Sequence, residues 1–370
     1  MYVEVHAMKE ISMLIKPASS LCNLRCRYCF YADVSENRDV ASSGVMTDET
    51  LETLVSRIAE ELQEQGKANI SFQGGEPTVA GLNYFKKFAS LLDAHPDIEV
   101  HWSMQTNATL LTEEFAQFLH ERNFLLGISL DGYQSMHDSN RYDAEKKGAF
   151  YRVMKGISLL EKAKVEYNIL TVVTHELSKH PKALFNFYKE HHFDYIQLIP
   201  CLPELNGDTR GLALLPEDYA SFYNTFFDCW KKDFEKGGRM SVNLFENIAG
   251  MMQGFPPYQC GYIGRCTTQF VIESNGDVYP CDFYCLDEKR LGNLNDLSFA
   301  QMRETPQAKE FMATSKCTKA PCEGCPYVRI CNGGCRRQNV CWLTDDICAY
   351  REVLDHIVPQ MTSIMRRSSS

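Results

Sequence analysis

From about residue 11 to residue 200 the chain alternates short apolar runs with amphipathic stretches. The apolar runs predict strands at 12–16, 69–73, 100–105, 125–130, 166–173 and 195–199. The stretches between them carry helical spacing at 48–65, 84–93, 113–122, 149–163 and 181–191. Thr47 and Thr112 stand where helix caps are needed. Strands that alternate with helices predict a parallel sheet joined by right-handed crossovers, hence an α/β fold. Six such units are too few for a closed eight-stranded barrel. Further on, helices are predicted at 216–236, 242–253 and 350–365. Apolar and polar residues alternate around Asn275-Gly276, which predicts a hairpin over 270–279.

Composition narrows the class. The chain has 370 residues, 44% hydrophobic and 23% charged, as in ordinary globular proteins. A net charge of −10 argues against a nucleic-acid partner bound through its phosphates. No apolar run is long enough to span a bilayer, and residues 1–16 lack the apolar core of a secretion signal. A cytoplasmic protein, with no membrane or nucleic-acid partner and acting as a monomer, is expected.

The sixteen cysteines are spread unevenly: three at 22–29, none in the next 171 positions, and eleven between Cys260 and Cys348. In a reducing compartment, clustered thiols mean metal. The shift in cysteine density suggests a strand–helix domain at 1–215, a helical connector at 216–255 and a cysteine-rich domain at 256–370.

The first cluster reads Cys22-Asn-Leu-Arg-Cys26-Arg-Tyr28-Cys29, followed by Phe30-Tyr31. Three thiolates can hold three irons of a cubane and leave the fourth open, whereas a cluster that only carries electrons normally has four cysteines. A structural zinc site would close with a fourth ligand nearby, and none follows in this loop. The spacing resembles that of the radical S-adenosylmethionine (SAM) enzymes. That resemblance implies a partial (β/α)6 barrel, with a [4Fe–4S] cluster whose open iron chelates SAM. Chemistry then gathers at the C-terminal strand ends, where Gln73, Gln105, Ser129 and Ile199 fall.

Gln73-Gly74-Gly75-Glu76-Pro77 is a strand running into a glycine turn. It resembles the GGEP motif of the same superfamily, which implies that Gly74, Gly75 and Glu76 receive the SAM amino group. The resemblance further implies Ser129 at the ribose, Arg141 at the carboxylate, and Leu202 and Tyr28 at the adenine.

The C-terminal third carries Cys322-x2-Cys325-x5-Cys331-x3-Cys335 and later Cys348, with Cys260, Cys266 and Cys281 upstream. This order resembles the SPASM domain. It implies two further [4Fe–4S] clusters, one on Cys260, Cys266, Cys281 and Cys335, the other on Cys322, Cys325, Cys331 and Cys348. Cys201, Cys229, Cys285, Cys317 and Cys341 are left without a role.

Leu14-Ile-Lys-Pro-Ala-Ser-Ser20, Gln105-Thr-Asn107, and the stretch from Gln269 to Tyr284 with Arg290-Leu-Gly-Asn293 look like the anaerobic sulfatase-maturating enzymes. That family oxidises a cysteine or serine in a Cys/Ser-x-Pro-x-Arg segment of a sulfatase to Cα-formylglycine. The resemblance implies Asp282 as the base that takes the substrate proton, beside cluster ligand Cys281, with Tyr31 near the reacting side chain. By itself, an aspartate after a hairpin caps a turn. A flavodoxin- or ferredoxin-type electron donor is expected. The alternative is a peptide maturase that forms a thioether or carbon–carbon crosslink or epimerises a residue. Many of those carry an extra N-terminal peptide-recognition domain, and only some twenty residues precede Cys22.

Overall fold

The computed structural model describes residues 9–63, 65–257, 259–314 and 319–368. Cys317 lies outside the described residues. Seven strands run parallel in chain order: β1 (Glu10–Ile15), β2 (Gly66–Phe72), β3 (Ile98–Thr106), β4 (Leu125–Ser129), β5 (Glu166–Val173), β6 (Tyr195–Pro200) and β7 (Ser241–Val242). The six strands expected from the apolar runs are all present. β7 is an addition of two residues, too short to show a pattern.

The expected helices also form. They are α2 (Asp48–Leu62), α3 (Leu82–Leu92), α4 (Glu113–Glu121), α6 (Phe150–Ala163), α7 (Pro181–Glu190), α8 (Pro216–Phe234) and α9 (Asn243–Met252), with a last helix at Ala349–Ser368. Two more, α1 (Phe30–Glu36) and α5 (Gln134–Asn140), fill loops after the first cysteine cluster and after β4. α2 shows how sequence sets these elements. Leu51, Leu54, Val55, Ile58 and Leu62 recur at helical spacing and are buried. The Thr47 hydroxyl accepts from the Thr50 amide at 3.2 Å. The helix stops where Gln63 turns left-handed.

The hairpin expected near Asn275-Gly276 is β8 (Val271–Ile272) with β9 (Asp277–Tyr279), followed by β10 (Gly292–Asn293). It does not stand apart. β8 pairs in parallel with β1, so the sheet order is β10-β9-β8-β1-β2-β3-β4-β5-β6-β7.

The strands are two-faced. Along β2 the residues alternate buried and half-buried. The buried face packs under the helices, where the rings of Phe72, Trp102 and Phe124 stack. Removing such a ring costs about 3–5 kcal/mol. The other face carries Ser12, Ser71, Ser103 and Asn168, and it borders a lumen instead of a packed core. No helix is long and apolar enough to cross a membrane among the described residues.

Candidate active site

A cavity of about 430 Å³ opens at the C-terminal strand ends. The loop from Cys22 to Cys29 forms one wall. Backbone bonds pin it to the segment after α5: the Arg25 amide to the Tyr142 carbonyl at 2.6 Å and the Arg27 amide to the Asn140 carbonyl at 3.0 Å. Burial pushes the Cys22 thiol up to about 11 and the Cys26 thiol up to about 12. Buried thiols of this kind become thiolates only against a cation. Among the described residues, no group of three cysteine, histidine or acidic side chains is set to hold a single metal ion. The three thiols instead ring a shared space, as a multi-iron cluster requires.

The glycine turn forms the next wall. Gly74 and Gly75 have φ of +87° and +51°, and a Cβ on Gly75 would stand 2.2 Å from the Leu21 carbonyl oxygen. Only glycine allows the turn to lie this close to the cysteine loop. Glu76 is buried at the wall of this cavity. It accepts from the Thr78 amide and hydroxyl, the Thr106 hydroxyl and the Asn107 amide, at 2.5–3.1 Å. It braces the ends of β2 and β3.

Ser129, Arg141, Tyr28 and Leu202 line the same cavity. Arg141 is buried; its Nη1 lies 3.9 Å from Cys26 Sγ, and its Nε donates to Asp131 Oδ2 at 2.9 Å. The Tyr28 hydroxyl donates to the same carboxylate. Asp131 Oδ1 accepts from the Val172 amide at 3.0 Å. Burial works against ionisation of Asp131, but the Arg141 charge outweighs it and holds the carboxyl below its ordinary range. Nothing in the sequence reading marked Asp131 as the anchor of two expected SAM contacts. The available signal was an acid just past a strand end with an arginine in the following loop.

Asp282 lines the same cavity. It begins a 3-10 turn, Asp282–Tyr284, with Cys281 just before it. Its side chain does not cap that turn. Its Oδ2 accepts from the Tyr31 hydroxyl at 2.6 Å and from Gln73 Nε2 at 3.2 Å. Its Oδ1 is buried without a hydrogen-bond partner among the described residues. Burial raises the carboxyl from 3.8 to about 6, against the pull of the Lys16 charge and the Tyr31 hydrogen bond. Tyr31 sits in the first turn of α1, where Phe30 packs on Phe283 at 5.0 Å between ring centres.

Behind this pair lies an ion cluster absent from the sequence reasoning. Lys16 Nζ donates to Glu273 Oε1 at 2.5 Å, and Arg38 Nη1 reaches the same oxygen at 2.6 Å. Lys16 also lies 5.3 Å from the Tyr31 ring centre. This network joins β1 to the β8–β9 hairpin and fixes the floor under Tyr31 and Asp282.

The C-terminal cysteines fall into two groups. Cys335 lies close enough to Cys260, Cys266 and Cys281 for their thiolates to repel. Cys331 and Cys348 stand in the same relation to each other and to Cys322 and Cys325. These groups coincide with the two sets of four that the resemblance implies. Cys341 lies apart, its Sγ 3.5 Å from the Cys201 carbonyl oxygen. Cys285 is buried beside Lys16 and Asp282.

Comparison with known proteins places this architecture. Residues 17–188 match the model of the radical SAM superfamily, and residues 260–326 match that of an iron–sulfur cluster-binding domain. The protein is therefore a radical SAM enzyme with a C-terminal iron–sulfur domain. It is 42% identical to the cysteine-type anaerobic sulfatase-maturating enzyme of Clostridium novyi (strain NT), over 89% of each chain. It is 31% identical to the serine-type enzyme of Bacteroides thetaiotaomicron, over 95% of this chain and 91% of that one. A structure described as native anSMEcpe with bound AdoMet and Cp18Cys peptide superposes with a TM-score of 0.86 at 37% identity, covering 97% of this chain and 99% of that chain. The chain belongs to the family of anaerobic sulfatase-maturating enzymes.

Proposed function

We propose that this protein oxidises a cysteinyl residue of a sulfatase polypeptide to Cα-formylglycine and accepts serine at the same position. The observation that carries the reading is Asp282: a buried carboxylate raised to about 6, steered by Tyr31 and Gln73, with one oxygen unpartnered, in the cavity that the three thiols also line. The preference for cysteine follows the higher identity to the cysteine-type relative, 42% against 31%.

Cys22, Cys26 and Cys29 would hold the SAM-binding cluster, and the two groups of four would hold two auxiliary [4Fe–4S] clusters. Bound SAM and the clusters supply removal of the Cβ hydrogen atom and transfer of the remaining electron. Gly74 and Gly75 offer backbone atoms to SAM, and Ser129, Arg141, Tyr28 and Leu202 enclose it. Glu76, at the cavity wall, joins Gly74 and Gly75 in receiving the SAM amino group and keeps the turn in shape. Asp282 takes the thiol or hydroxyl proton on Oδ1 while Tyr31 and Gln73 fix Oδ2. Residues 1–215 form the SAM domain, 216–255 the connector and 256–370 the auxiliary-cluster domain. An electron donor of flavodoxin or ferredoxin type serves a monomeric enzyme.

The test is mass spectrometry of a Cys-x-Pro-x-Arg peptide incubated with the reconstituted enzyme, SAM and a reductant. Conversion removes about eighteen mass units from the cysteine peptide and about two from its serine analogue. SAM cleavage with every such peptide unchanged would overturn the reading in favour of a crosslinking or epimerising maturase.

A further inference from the structure

The inside of the partial barrel is open and partly polar where barrels are ordinarily filled. In closed (β/α) barrels, layers of branched apolar side chains fill the centre. Here Ser12, Ser71, Ser103, Asn168 and Gln197 line a lumen of about 580 Å³. At the N-terminal strand ends Glu10, Leu125 and Thr267 line it and are exposed, so that end meets solvent. Ser12, midway along β1, is exposed too. At the other end Gln73, Gln105, Gln197 and Gln269 belong both to the lumen and to the active-site cavity. That cavity is also lined by Gln259, Tyr262, Gln338 and Trp342 of the cysteine-rich segment.

The chemistry of the two substrates differs in one respect. A serine side chain is a primary alcohol, and it becomes the aldehyde by losing two protons and two electrons, with no other reactant. A cysteine side chain is a primary thiol, and the same loss of protons and electrons gives a thioaldehyde. One water must then convert the thioaldehyde to the aldehyde, with release of one hydrogen sulfide. The water oxygen forms the new carbon–oxygen double bond, the carbon–sulfur double bond breaks, and both water protons leave with sulfur. Only the cysteine reaction consumes water and releases hydrogen sulfide.

We propose that the polar lumen is the passage for both: water enters the cysteine-oxidising site through it and hydrogen sulfide leaves through it. The proposal rests on the maturation reaction given above. Hydroxyl and amide side chains suit it because they exchange hydrogen bonds with moving water at little cost.

The Ser71 and Ser103 hydroxyls meet across β2 and β3 at 2.7 Å, and neither residue lines the active-site cavity. The Ser71→Leu/Ser103→Leu pair would fill the lumen, whereas the Ser71→Ala/Ser103→Ala pair would leave it open. Ser12→Leu, at an exposed position, serves if the leucine pair does not fold. With the cysteine peptide, the blocked variant should cleave SAM in the first turnover within about twofold of wild type. Its release of sulfide and the loss of about eighteen mass units should lag by about tenfold, behind a peptide about two mass units lighter. The serine peptide should be converted at nearly the wild-type rate, and the alanine pair should match wild type on both peptides. Equal slowing of both peptides, or no slowing of either, overturns the proposal. Failure of wild-type enzyme to convert any peptide would overturn the maturation reaction instead.

Discussion

Two buried aspartates serve the active-site cavity and behave oppositely: Asp282 lines it, and Asp131 holds Tyr28 and Arg141, which line it. Asp131 is held ionised by Arg141, and both of its oxygens are engaged. Asp282 is raised to about 6, and one of its oxygens has no partner among the described residues. Both are buried, so burial alone does not separate them. The difference lies in the neighbour. A guanidinium in direct contact fixes Asp131, whereas the nearest cation to Asp282, Lys16, is committed to Glu273. A carboxylate that is satisfied organises a site; one left short of partners can take a proton.

The most severe test of this contrast is Asp282→Asn. The amide keeps the shape and the Tyr31 contact but does not accept a proton on this path. SAM cleavage should persist, and formylglycine formation, followed by mass spectrometry, should fall by about 10²–10⁴-fold. Wild-type rates in this variant would remove Asp282 as the base. Asp131→Asn should fail in a different way. It leaves Arg141 buried without its counter-ion, which costs about 3–5 kcal/mol, read as a lowered denaturation midpoint of the holoenzyme. If that midpoint is unchanged, Asp131 is not the anchor described here.

The smallest effect concerns His137, whose Nδ1 accepts from the Asp131 amide at 3.2 Å. Burial lowers this imidazole from 6.5 to about 4, against the attraction of Asp131. The unfolded chain therefore binds the proton first, and stability present above about pH 6.5 is lost as the pH falls toward 4. At pH 5.5 the loss should be about 1 kcal/mol relative to pH 7.5, and His137→Asn should not show it. Parallel stability profiles for the two proteins would contradict this account of the Asp131 region.

The strands were legible because this sheet has one polar face. Fully buried parallel strands read as unbroken apolar runs, but β2 and β3 alternate, and the same alternation leaves the lumen open. Helix α5 was illegible: Gln134-Ser-Met-His-Asp-Ser-Asn140 has poor helix formers and no apolar stripe. α1 was hidden because its first residues were read for chemistry alone. The grouping of eight C-terminal cysteines was legible through family resemblance, since spacing alone does not say which thiols meet. Asp131 and the Lys16–Glu273 pair were missed for different reasons. Asp131 had a local signal in Arg141, ten residues on, although its Tyr28 contact spans 103; the Lys16–Glu273 contact spans 257 residues, and local pattern carries no record of it.

That last pairing also orders events during translation. At about 5–20 residues per second, Glu273 leaves the ribosome roughly 10–50 s after Lys16. Until then β1 has a neighbour on the β2 side only, and the ammonium of Lys16 has no acid to bury against. The nascent barrel must wait, half-edged and hydrated at its first strand, until the β8–β9 hairpin arrives. Closing the sheet and neutralising Lys16 are then a single late step, the same one that brings Asp282 to Tyr31.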